Sequence, residues 1–186
     1  MYNLILTLHS WGRWLALILA VVATVNAFRP LPQGTERLPG RWWDILFMFA
    51  VDAQVLLGML LYLRLSPFTL AAMNDLGRAF HNPALRFWSI EHAGGMLAVV
   101  VLVRMGRVMA MNARSGSVAR NRRFACFALA TAVMLMTIPW PGLAHGRPLF
   151  RSIDRNLSFL RNRTPIAVPI GNSIGAEPPK TPARSW

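Results

Sequence analysis

The sequence predicts an all-α membrane protein: four transmembrane helices in an up-down-up-down bundle, short interfacial helices and an extended C-terminal tail. Three observations predict it. Apolar residues make up 54% of the 186 and charged ones only 15%, against roughly 25% charged in an average soluble domain. Four stretches, residues 4–28, 42–63, 87–111 and 124–144, reach the about 20 mostly apolar residues needed to span a hydrocarbon core. Basic residues outnumber acidic ones by 20 to 7, for a net charge of +13. They flank the apolar runs, so the basic balance points to a lipid bilayer surface and to no nucleic acid.

The first run lacks a positive leading segment and carries His9 and Arg13, so it reads as a retained span rather than a cleaved signal. Pro30 and Pro32 end it, because proline cannot donate to the helix ladder and restricts the residue before it. After the second run, Ser66-Pro67 reads as an N-cap with proline at the first helical position. It opens a surface helix to about Phe80, closed by Asn82-Pro83. Residues 107–123 carry five arginines and no acid between the third and fourth runs. The fourth run ends at Pro139-Trp140-Pro141, with Trp140 as an interfacial anchor.

Two domains follow: 1–145 as the transmembrane part, and 146–186 as an interfacial helix and Pro-rich arm. In the second, Phe150, Ile153, Leu157 and Leu160 share one helical face, with Arg151, Arg155 and Arg163 mostly off it. That pattern suits a helix in the headgroup layer. Beyond Thr164 the prolines, from Pro165 and Pro169 onward, forbid a continuous helix. This arm, ending at Trp186, is expected to dock on other integral membrane subunits. The positive-inside rule weighs short loops most heavily. It puts 29–41 and 107–123 in the cytoplasm and both termini in the periplasm, with the chain in a bacterial inner membrane.

Ionisable side chains inside a bilayer are costly, so each is a functional candidate. Up-down-up-down topology collects His9, Arg13, Tyr62, Glu91, His92, Trp140 and His145 at one end. His9 and Arg13, four apart, share a helical face. One reading is structural: Arg13 and Glu91 form a buried ion pair that locks spans one and three, and the histidines bond nearby carbonyls. The other makes His9 and His92 axial ligands of a tetrapyrrole, haem b or a bacteriochlorophyll, since bundle cores are a usual place for such ligation. A proton path is a third. Asp52 lies ten residues into span two, about 15 Å deep, either as a helix-joining paired or protonated group or as a relay. Gln54 points to another face. Ala16, Ala20, Ala23, Gly58, Gly94 and Ala98 mark seams of close helix approach. Arg104 and Arg107 can snorkel to headgroups.

Cys126 is the sole cysteine, which excludes an internal disulfide and a CxxC site. There is no Gly-rich phosphate loop, HExxH or nucleophile elbow, so no enzyme activity is expected.

The chain resembles the small four-helix bacterial membrane proteins loosely named "cytochrome B", common in Bacteroidetes. The resemblance is carried by Leu8-His9-Ser10 with Arg13-Trp14, by residues 54–63 (QVLLGMLLYL), by Glu91-His92 with Met96, by Gly106-Arg107 and by Ile138-Pro139-Trp140-Pro141. It covers about residues 5–142 and implies a haem-binding bundle. Where members carry His-Thr-Gln in span two, this chain has Asp52-Ala53-Gln54, which removes one imidazole and leaves His9 and His92. The functional expectation is an accessory subunit of a larger electron-transfer or photosynthetic membrane complex. The alternative is a b-type haem electron carrier using His9 and His92, with lipids as further ligands.

Overall fold

In the computed structural model, residues 1–29, 41–143 and 146–147 are described. Expectations for the 30–40 loop, for His145, and for Phe150, Ile153, Leu157, Leu160, Pro165, Pro169 and Trp186 fall outside these residues. The described part is all-helical, with no strand among the described residues.

Helix α1 runs Tyr2–Phe28 and stops where Arg29 turns extended, at φ −59° and ψ 137°, as a residue before proline must. Helix α2 runs Arg41–Leu60 and widens into a π-helical turn, Leu61–Leu65. Pro67 then opens α3, Pro67–Asn74, as expected of proline at a first helical position. The single surface helix expected from Pro67 to Phe80 is instead broken twice. Asp75 leaves helical geometry and its carboxylate accepts from the Arg78 amide at 2.9 Å, capping α4, Leu76–His81. Asn82 does the same for α5, Pro83–Arg86, accepting from the Ala84 and Leu85 amides. Short polar side chains satisfy the orphan amides of a new helix start better than they continue an old one.

A second π-helical turn, Phe87–Glu91, leads without a break into α6, His92–Met111. Helix α7 runs Gly116–Thr137, opened by Ser115, whose hydroxyl accepts from the Val118 amide. It starts eight residues before the expected fourth run and stops seven short of its end. Ile138 takes ψ 133° ahead of Pro139, which terminates the helix.

Three helical stretches are long and apolar enough to cross a membrane: Tyr2–Phe28, Trp42–Leu65 and Pro83–Met111. Helix α7 has comparable length, but Arg120, Arg122 and Arg123 occupy its first half. Helix α1 packs between α2 and α7, and α6 packs against α7 and α2, so the four surround one core.

That core is built from small residues. Ala16, Ala20, Ala23 and Ala27 of α1 are fully buried, while Leu15, Ile18, Val21 and Val25 face outward. A water-soluble bundle does the reverse, because burying large aliphatics is its main driving force. In lipid no such force separates Leu from the surroundings, and small residues win the interior by allowing close backbone approach. At the α6–α7 seam, a Cβ on Gly106 would lie 2.6 Å from Cys126 Cβ. Phe47 and Phe127, both fully buried, meet edge to face at 5.8 Å in the centre. Thr24 and Thr131 hydroxyls join α1 to α7 at 3.1 Å. Gly94, expected at a seam, has nothing within 4 Å of its would-be Cβ; it borders a cavity instead.

Candidate functional site

One end of the four-helix core opens into a cavity of about 520 Å³. His9 and Arg13 of α1, Gln54, Gly58 and Tyr62 of α2 and its π turn, and Trp88 and His92 of the second π turn and α6 line it, with Arg147. Both π turns border it. Such turns add a residue to a helical turn and re-aim the side chains around it, which here makes room between α2 and α6.

The two imidazoles meet edge to face at the cavity, with ring centroids 6.2 Å apart and planes 82° apart. His92 Nδ1 lies 2.8 Å from the Thr137 carbonyl oxygen. A carbonyl only accepts, so Nδ1 carries the proton and Nε2 keeps its lone pair. Phe87 and Trp88 pack on the same ring, at centroid distances of 5.9 and 5.6 Å.

His9 is held through Gln54. In the amide orientation that satisfies its neighbours, Gln54 nitrogen donates to the His9 carbonyl at 3.0 Å and to His9 Nδ1 at 3.1 Å, and its oxygen accepts from the Arg13 amide at 3.2 Å. Gln54 thus inserts into the α1 ladder, and Gly12 is what lets it in, since a Cβ there would collide with the Gln54 amide. Gly58 plays a smaller part: its would-be Cβ sits 3.4 Å from His9 Cε1.

The cations at this end lie on aromatic faces. Arg13 stands over Trp14 at 5.0 Å, and Arg147 over Trp88 at 4.3 Å and over Phe68 at 5.7 Å. Among the described residues, no aspartate or glutamate lines the cavity. The cavity therefore combines an apolar wall, two oriented imidazoles and two guanidinium groups. Among the described residues no three His, Cys, Asp or Glu side chains group as metal ligands, so a metal held here would have to arrive with most of its own ligands.

Several sequence expectations meet in this place. His9, His92, Arg13 and Tyr62 all line the cavity, and the Tyr62 hydroxyl donates to the Ser89 carbonyl at 3.0 Å. Trp140 stacks edge-on with Trp14 at 6.4 Å and donates to the Leu135 carbonyl at 2.8 Å.

Glu91 does not join them. The expected Arg13–Glu91 pair is replaced by one between Arg86 Nε and Glu91 Oε1 at 2.7 Å, with both side chains nearly half exposed. The physical reason is the π turn: residues five apart stack one above the other in it, which brings Arg86 beneath Glu91.

Asp52 also lies elsewhere. Both its oxygens accept from Arg104 Nη2, at 2.8 and 3.0 Å. The paired alternative is the one observed, and Arg104 turns back to Asp52 instead of reaching for headgroups. Arg107 Nη1 lies 3.4 Å from Met48 Sδ.

Three features escaped the sequence reading. Gln54 was visible as a polar residue off the Asp52 face and as part of the resemblance, but not as a partner of His9. Arg147 lies beyond the apolar runs and carried no signal. Asp44 and Arg123 form an ion pair at 3.3 Å with side chains only 5% and 2% exposed. Its signal was present: Asp44 lies at the start of the second run, and Arg123 directly precedes the fourth.

Searches against protein-family models, curated proteins and solved structures find no match for this chain. The resemblance to the "cytochrome B" group therefore has no support from them.

Proposed function

We propose that this chain is an integral-membrane electron carrier that holds a b-type haem between His9 and His92, with α7 as the fourth span of an up-down-up-down bundle. The observation that carries the reading is the pair of imidazoles that meet at one cavity, with ring centroids 6.2 Å apart. These two side chains would hold the group.

The remaining residues suit the same ligand. His92 has the second-shell partner that a ligating histidine commonly has: its Nδ1–H is fixed by a backbone carbonyl, leaving Nε2 to bind. For His9 to bind through Nε2, its proton must move to Nδ1. Rotating the Gln54 amide by half a turn presents the oxygen that would accept it. Arg13 and Arg147 would supply cations for the carboxylates of an otherwise apolar macrocycle, and no acid lines the cavity among the described residues. When bound, a b-type haem supplies reversible one-electron chemistry. The protein's own part is to orient the imidazoles and keep the site in an apolar wall.

The test is the visible spectrum of the protein purified in mild detergent from haem-replete cells. A Soret band at one haem per chain is expected, lost on either His9→Ala or His92→Ala and retained in His81→Ala. A haem-free protein, or a spectrum indifferent to both substitutions, overturns the reading.

The second reading, an accessory subunit of a larger membrane complex, is favoured by one observation. The Asp52–Arg104 pair is exposed on the outer surface of a lipid-facing helix pair, where another protein would shield it. Placement in a bacterial inner membrane, with 29–41 and 107–123 cytoplasmic, belongs to both readings.

A further inference from the structure

We infer that the α2–α6 face carrying Asp52 and Arg104 is a homodimer interface, with a second copy of this chain as its occupant. The starting point is exposure at the wrong depth. Asp52 lies about 15 Å along its span, and Arg104 seven residues before the end of α6 at Met111, roughly 10 Å from the same end of the core. Both lie inside apolar stretches long enough to cross a membrane, Trp42–Leu65 and Pro83–Met111. Yet their side chains are 39% and 45% exposed. Around them the surface is apolar. Phe49 and Leu56 flank Asp52 on α2, and Val101 and Val108 flank Arg104 on α6, all four outward-facing and exposed.

An ion pair facing hydrocarbon remains costly even when its charges cancel, because unmatched donors stay without water. Both bonds to Asp52 use Nη2 alone, so Arg104 Nε and Nη1 have no partner among the described residues. Carboxylate oxygens have lone pairs to spare, so a second Asp52 can accept from them.

Symmetry makes the second copy the natural source. Seen from outside, the face presents a negative group on α2 beside a positive group on α6 at similar depth. A two-fold axis along the membrane normal keeps both copies in the same orientation. It sets α2 of one against α6 of the other, so Asp52 of each copy meets Arg104 of its mate. An isologous contact of this kind needs a self-complementary patch, and a side-by-side opposite pair is one. The resulting four-group cluster satisfies more donors than either pair alone, inside an apolar rim that excludes lipid.

Charge reversal tests this, using full-length chains with two different tags co-expressed in one membrane and reconstituted singly into lipid nanodiscs. Wild-type chains are expected to capture each other and to bleach in two steps when fluorescently labelled. Asp52→Arg alone and Arg104→Asp alone should not self-associate, since each doubles one sign on the face. Co-expressed, the two single variants should capture one another, because each supplies the charge the other lost. A purely intramolecular pair cannot give that result. Should the reversals fail to fold, Asp52→Asn and Arg104→Gln keep the shape and should weaken the dimer by about tenfold or more. Single-step bleaching of the wild type, a co-expressed pair that stays monomeric, neutral variants that dimerise as well as the wild type, or capture of a different membrane protein on this face in place of a second copy would each overturn the inference.

Discussion

Replacing Asp44 should be the most damaging single polar substitution in the molecule. Its carboxylate lies 3.3 Å from Arg123 Nε, and the two side chains are 5% and 2% exposed. At an effective dielectric of 20, that separation corresponds to an attraction of about 5 kcal/mol. Burying the two charges costs several kcal/mol each, so the intact pair contributes little net stability. Asp44 Oδ1 has no hydrogen-bond partner among the described residues, which lowers the net further. The single variant is different. Asp44→Asn removes the attraction and leaves the burial cost of the guanidinium in place, for an expected loss of about 3 kcal/mol, the lower end for broken buried pairs. Replacing both partners with apolar residues, Asp44→Leu with Arg123→Met, should return stability to within about 1 kcal/mol of the wild type, since no charge remains buried. Equilibrium unfolding of the wild type, Asp44→Asn and the double variant in mixed micelles with increasing dodecyl sulfate measures both differences. If Asp44→Asn alone sits within about 1 kcal/mol of the wild type, the guanidinium is not held by this carboxylate and the reasoning fails.

Two glycines give sharper local tests. Gly106→Ala puts a methyl 2.6 Å from Cys126 Cβ and 3.3 Å from the Phe127 ring; both are held by helix backbone, so an overpacking cost of about 1–3 kcal/mol is expected in the same unfolding assay. Gly12→Ala should displace the Gln54 amide, a flexible side-chain end, and release its bonds to His9 and the Arg13 amide. The expected stability loss is smaller, about 1–2 kcal/mol for the lost hydrogen bonds. The diagnostic readout is the His9 imidazole signal by nuclear magnetic resonance, which should change its Nδ1 shift while that of His92 stays put.

How much of this was legible beforehand differs by level. Three of the four apolar runs became helices long enough to span a membrane, because run length against hydrocarbon thickness is a one-dimensional property. Chain ends of helices followed local chemistry too: Pro30, Pro67 and Pro139 act through the residue beside them. The convergence of His9, His92, Arg13 and Tyr62 was also readable, since the order of short-looped helices limits which ends can meet. Partner choice was not. Glu91 was expected inside, facing Arg13, but a single inserted residue in the π turn carried it to Arg86. Asp52 found Arg104 across 52 positions of sequence, and Asp44 found Arg123 across 79. Gln54 entered the α1 ladder only because Gly12 left a space opposite it. The sequence by itself determined where helices run and which ends share a depth, because those follow from pattern and length. Rotation about each helix axis is set by side-chain packing among all four helices at once, so only the tertiary structure decided which charges pair and which face outward.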